Sequence, residues 1–250
     1  MAVIHGGPIL QSPLARDLNL DGNPVHDEVL CIARMVGSDF IINVTLDDKY
    51  RLSGIFAGDM ELAHLRAVDK IKSYVGFATD RDYDLVISHA GFVGTNHYQA
   101  AKAAVICSSL LRQEGICVLA TDHTQADPIG GPSYRKMLRL LGDMGAEKYE
   151  EMITDPDWSF FTEQWEPQMW GRLFSKTPPD NLYYCTLSIP PEAFSWIPGR
   201  DARTFSPNTS NLDSLVNETI KSAIKTLRSR LGRDPEIAVL KDGPYAVPLI

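Results

Sequence analysis

The sequence predicts an α/β protein, with a parallel-sheet domain in its larger, later part and a smaller α+β segment before it. Three observations predict this. Residues 83–91, YDLVISHAG, form an apolar run ending in glycine; helical periodicity follows over about 95–113, and then a second apolar run, GICVLATD. Strand, helix and strand in that order imply a parallel pair joined by a crossover. The alternation continues downstream, whereas the first 76 residues read as loop, helix, hairpin and helix.

Each element has its own warrant. The opening 24 residues are rich in Gly and Pro and lack periodicity. Asn23 before Pro24 suits a helix cap with proline in the first turn, and Val25, Val29, Ile32 and Ala33 recur at helical spacing, so a helix is expected over 24–36. The β-branched runs 38–47 and 51–58, separated by a charged DKY turn, predict a hairpin. Asp59 caps an amphipathic helix in which Leu65, Val68, Ile71 and Val75 share a side. Beyond the first sheet pair, PSYRKMLRLLGDMG and DWSFFTEQWEPQMWGRLFSK read as helices, NLYYCTLS as a strand, LDSLVNETIKSAIKTLRSRLG as a long helix and EIAVLKDG as a last strand.

Composition excludes some functions. A net charge of −8 argues against nucleic acid, whose binders concentrate Lys and Arg to displace counterions. No run approaches the roughly 20 apolar residues that span a bilayer, and the first residues lack a secretory pattern, so a cytoplasmic location is expected. On the same ground the sequons at Asn43, Asn208 and Asn217 read as chance matches. Cys31, Cys107, Cys117 and Cys185 lie in apolar runs without a CxxC pair and are expected as reduced core thiols.

Parallel sheets place ligands outside the carboxyl ends of their strands, which directs attention to residues 89–97. In the helix that follows, Gln99 and Lys102 stand three apart and share a side. A carboxamide beside an ammonium is a receptor for a 2-hydroxy or 2-keto carboxylate, the amine as point charge and the amide as oriented partner. His89, Asn96 and His97 crowd the same turn, and Gly91 and Gly94 would let backbone approach a ligand. Asp122, His123 and Asp127 follow the next strand and could flank the site; Arg200, Asp201 and Arg203 read as surface charges. The turn SHAGFVGTNH lacks the GxGxxG spacing of a dinucleotide site. A non-catalytic module that binds a small carboxylate, or serves assembly, is the alternative reading.

Five blocks in succession, DGNPVHDEV, FIINVTLD, GIFAGDMELAH, DLVISHAGFVGTNHYQAAKAA and QWEPQMWGRL, resemble the lactate racemase family over residues from about 20 to at least 175. The resemblance implies a Rossmann-like C-terminal domain over 77–250, preceded by a 1–76 remnant of an N-terminal cofactor domain. It implies hydride abstraction from a 2-hydroxy acid and its return through a keto acid, on a nickel-pincer nucleotide made from nicotinic acid (pyridinium-3,5-bisthiocarboxylic acid mononucleotide nickel). Tyr98, Gln99 and Lys102 match the family's substrate-contacting Tyr-Gln-x-x-Lys helix, Gln99 and Lys102 in catalytic roles; His97 beside them and Trp165, in a Trp-x-x-Gln block with Gln168, are expected at the substrate. His5 falls near the position of the family's nickel-ligating histidine. The family's cofactor-tethering lysine and acid-base histidines are expected upstream of Met1, on the same polypeptide or a separate cofactor-binding chain. Ala90-Gly91-Phe92-Val93-Gly94-Thr95 departs from the family's Gly-Gly-Tyr-Pro-Leu-Asp type turn, which implies a substrate other than lactate.

Overall fold

A computed structural model describes residues 3–47 and 49–249. The chain divides into two compact units, Met1–Thr79 with Val247–Ile250, and Asp80–Ala246. The sequence pattern puts the division at 76; it falls instead after 79, and the last residues belong to the first unit because they pair there.

The first unit begins with α1 (Gly7–Gln11) and α2 (Pro24–Val36). Asn23 caps α2 by accepting from the Val25 amide at 3.0 Å, and Pro24 occupies the first turn, where a missing N–H costs nothing. Antiparallel β1 (Ile41–Leu46) and β2 (Leu52–Gly58) form the expected hairpin. Its turn is tied by the Asp47 carboxylate, which accepts from the amides of Lys49 and Arg51; residue 48 of the DKY motif lies outside the described residues. Asp59 caps α3 (Met60–Val75) by accepting from Glu61 and Leu62. Two strands of three residues, β3 (Gly76–Ala78) and β9 (Val247–Leu249), pair in parallel. Strands so short carry too little pattern to be seen in a sequence.

The second unit is built on a five-stranded sheet. Its strands are β4 (Tyr83–His89), β5 (Leu111–Ala120), β6 (Leu182–Cys185), β7 (Arg200–Asp201) and β8 (Ile237–Val239). All neighbours are parallel, in the order β7-β6-β5-β4-β8. The chain moves outward from β4 to β7 and then returns to the other side of β4. That reversal makes the carboxyl end of β4 the switch point where such sheets open a crevice.

Alternate strand residues face opposite layers. Leu85, Ile116, Val118, Tyr183 and Cys185 pack with Leu215, Ala223 and Leu227 of α8 (Leu212–Leu231). On the other face, Tyr184 meets His97 of α4 (His97–Ser108) and Trp170 of α7 (Trp165–Phe174). Between β5 and α7 lie α5 (Pro132–Met144) and α6 (Ala146–Thr154). The unit is a parallel α/β layer structure of Rossmann-like type, as the sequence predicts.

Several boundaries differ from the sequence pattern. The helix expected over 95–113 ends at Ser108, and β5 begins at Leu111, four residues before GICVLATD. The strand's early part is interrupted by Glu114 at φ 63° and a register shift against β4, so its alternation is broken and its residues read as helix. Helix α6 has no counterpart in the sequence reading, and α7 starts at Trp165 rather than near 157. Of the cysteines expected in the core, Cys31 is exposed on α2, while Cys107, Cys117 and Cys185 are buried; all four are free thiols.

Candidate functional site

Helix α4 leaves the switch point directly after β4. Asn96 caps it, its Oδ1 accepting from the Gln99 amide at 2.9 Å and its Nδ2 donating to Gln125 Oε1 at 2.7 Å. The amides of His97 and Tyr98 donate to the carbonyls of Pro128 and Ile129. The N–H groups that a phosphate would use at this helix end are therefore taken by the protein itself. An anion at this place would have to be held by side chains.

Those side chains lie further along the helix. Lys102 is exposed and Gln99 half-buried. The Lys102 ammonium donates to Gln99 Oε1. A lysine can only donate, so the carboxamide must turn its oxygen to Lys102 and leave its NH2 as a second donor. Both tips thus present protons, the arrangement a carboxylate requires. Beside them, Tyr98 Oη accepts from Trp165 Nε1 at 3.0 Å, joining α4 to the first turn of α7. Burial, and then the charge of Glu166, push the Tyr98 phenol up to about 12, so it keeps its proton. Of the residues nominated from sequence, Tyr98, Gln99, Lys102 and Trp165 are gathered around α4 and α7.

His97 is placed differently. It is fully buried, stacked on Trp170 at 4.6 Å, with Nδ1 bonded to Tyr134 Oη at 2.7 Å. Burial, with His123 second, holds its imidazole well below the ordinary range and neutral. The helix turns this side chain into the core while its neighbour Tyr98 faces the site. His123 is likewise buried, bonded through Nδ1 to the Gly94 carbonyl at 2.7 Å and through Nε2 to Tyr184 Oη at 3.0 Å. Asp127 accepts from the Ile129 and Gly130 amides and from Arg135, shaping the loop before α5. Arg203 donates to Asp201 at 2.9 Å, a local pair in the turn after β7.

The two glycines serve packing rather than ligand approach. A Cβ on Gly94 would lie 2.2 Å from that of Ala90, and one on Gly91, at φ 58°, would meet the Tyr245 ring at 2.7 Å. Tyr245 Oη accepts from the Val93 amide at 3.1 Å, which ties the turn to the distant segment 243–245.

The structure adds acidic groups that the sequence concealed. Glu166, in the first turn of α7, is 8% exposed and its Oε2 has no hydrogen-bond partner. Burial raises its carboxyl to about 7, with Lys102 opposing and Glu163 adding to the rise. Glu163 stands at φ 66°, a left-handed conformation rare for glutamate, and its Oε2 accepts from the Tyr134 amide at 2.9 Å. Glu166 sits inside the QWEPQMWGRL block, but an acid at a helix start normally reads as a favourable charge near the helix dipole. Gln168 of the same block is buried and donates to Glu150 at 2.9 Å.

His5 lies half-buried in a turn ahead of α1, in the first unit. Among the described residues no three His, Cys, Asp or Glu side chains converge on a point that could hold a metal ion. The donors gathered around α4 suit a carboxylate. Among the described residues no helix is long and apolar enough to cross a membrane.

The fold is an α/β layer structure in which the Lys102–Gln99 pair stands on the helix that leaves the sheet's switch point. No family profile matches the chain. It is 26% identical over 241 residues to the lactate racemase of Lactiplantibacillus plantarum, covering 96% of this chain and 52% of that protein. It is 25% identical over 171 residues to the lactate racemase of Thermoanaerobacterium thermosaccharolyticum, covering 68% of this chain and 39% of that one. Its fold matches the lactate racemase apoprotein structure from T. thermosaccharolyticum with a TM-score of 0.80 at 19% identity, covering 99% of this chain and 55% of that chain. A structural-genomics protein from Thermotoga maritima matches with a TM-score of 0.55 at 11% identity, covering 91% and 54%. The chain is related to the lactate racemase family. It spans about half the length, or less, of the curated relatives it matches.

Proposed function

We propose that this chain provides the carboxylate-binding part of a racemase or epimerase acting on a small 2-hydroxy acid. The observation that carries the proposal is the Lys102–Gln99 pair, two donors held together on an exposed turn of α4 beside Tyr98 and Trp165. In this reading Lys102 neutralises the substrate carboxylate and Gln99, its amide fixed by Lys102, orients it. Tyr98 and Trp165 form the adjoining wall. Fixed positive charge at the acid end holds the carboxylate in hydroxy acid and keto acid alike, keeping the intermediate bound while hydride leaves the α-carbon and a base outside the pair takes the hydroxyl proton. The hydride acceptor would be the nickel-pincer nucleotide that the family resemblance implies, held by residues outside the pair described here.

Calorimetric titration with lactate, malate and larger hydroxy acids tests the receptor. Lys102→Ala removes a charge-assisted bond worth roughly 2 kcal/mol and is expected to weaken binding more than tenfold. Equal affinity in wild type and variant would overturn the proposal. Addition of a homologue's cofactor-bearing domain, followed by optical rotation, then separates a racemase from a module that binds without turnover.

A further inference from the structure

We infer that Glu166 takes up a proton when a carboxylate settles on Lys102 and Gln99, so that substrate binding and protonation of this side chain are one linked event. The inference rests on the receptor reading above and adds a titrating group that the receptor itself does not use.

Its basis is an imbalance of charge. Glu166 is nine-tenths buried and one of its oxygens is unpartnered, a costly state for an ionised carboxylate. Charged and titratable groups face it from several elements. From α4 come the Lys102 ammonium, which favours its charge, and Tyr98 and His97, both neutral. From the segment before α7 comes Glu163, which opposes it. From α5 comes Tyr134, whose phenol is held protonated by burial and then by Glu166's own charge. From α6 come Tyr149, whose hydroxyl donates to the Gln164 carbonyl, and Glu150, engaged by Gln168; on α7 itself, Arg172 acts on Glu150.

The Lys102 ammonium therefore already acts on Glu166 before any ligand arrives, against the opposing charge of Glu163. A substrate carboxylate adds a third negative charge and draws on the same Lys102. Protonating Glu166 with a proton from solvent is the least costly adjustment: it removes the buried charge and makes the carboxyl a donor. Near neutrality this costs little, because the unliganded carboxyl already titrates at about 7. No bond to substrate is made or broken.

The sign follows. The protonated form binds better, so affinity falls as pH rises above about 7, by up to tenfold per unit until the carboxyl of the complex itself titrates. Lactate and malate are titrated into the 250-residue chain between pH 6 and 8.5, in two buffers that differ in protonation enthalpy and are neither carboxylates nor phosphates. Wild type is expected to take up a substantial fraction of a proton per ligand at pH 7.5. Glu166→Gln is expected to lose that uptake, bind with little pH dependence and exceed wild type in affinity at pH 8. Glu163→Gln, which keeps Glu166 in place, should move the pH midpoint of binding downward. Binding by wild type without proton exchange, or unchanged uptake in Glu166→Gln, would overturn the linkage while leaving the receptor standing. Failure of wild type to bind either acid would remove the receptor reading and the linkage with it.

Discussion

Lys102 has three protons to give and no lone pair, and this orders the side chains near it: Gln99 must offer oxygen inward and NH2 outward. Spacing in the sequence was enough to bring these two together, because residues three apart on a helix share a side whatever surrounds them. Burial is not encoded so locally. Glu166 and His97 each adjoin a residue of the site, yet one becomes a titrating carboxyl and the other a core imidazole through contacts with distant segments. Asp84 shows the opposite outcome for a buried acid. Burial alone would raise its carboxyl, but Arg233, the Glu236 amide and Arg112 outweigh it and bring it to about 2. A carboxyl depressed in the folded state stabilises above its unfolded value, and that contribution is lost as pH falls from about 4 through 2. The depression corresponds to about 2 kcal/mol. Urea unfolding of Asp84→Asn is expected to show at least this loss at pH 7 and a smaller difference from wild type near pH 2; equal stability at pH 7 would contradict the account.

At the scale of elements, helix caps and the hairpin were the most legible features, because Asn23, Asp59 and Asp47 act within a few residues. Helix ends were less so. The run after Ser108, SLLRQE, shows no strand alternation, and its place in the sheet comes from pairing with β4. Helix α6 was missed because AEKYEEMIT follows Gly145 without a side-chain cap, and its buried Tyr149 and Ile153 are too few to set a period. The entrance to α4 joins local and distant information: Asn96 caps Gln99 and is itself held by Gln125 after β5. Asn96→Ala is expected to cost about 1–2 kcal/mol in chemical denaturation and to weaken carboxylate binding, since the capped residue is Gln99. Asn96→Asp, which keeps the accepting oxygen, should retain most of both. Loss of stability with unchanged binding would detach the cap from the site.

Across the whole molecule, alternation of strand and helix foretold the parallel layer, and the order β7-β6-β5-β4-β8 supplied what alternation cannot, the place where the sheet reverses. Tyr98, Gln99 and Lys102 lie on the helix that leaves that place, and α7 brings Trp165 and Glu166 to them from about 65 residues further along the chain. Sequence could name the two segments, but their direct packing joins residues 67 apart in the chain, which local pattern does not encode. The most direct test of the receptor is a crystal structure of the chain soaked with lactate or malate. The account predicts the ligand carboxylate within hydrogen-bonding distance, roughly 2.7–3.2 Å, of both Lys102 Nζ and Gln99 Nε2. A carboxylate bound elsewhere, with Lys102 and Gln99 still joined only to each other, would contradict it.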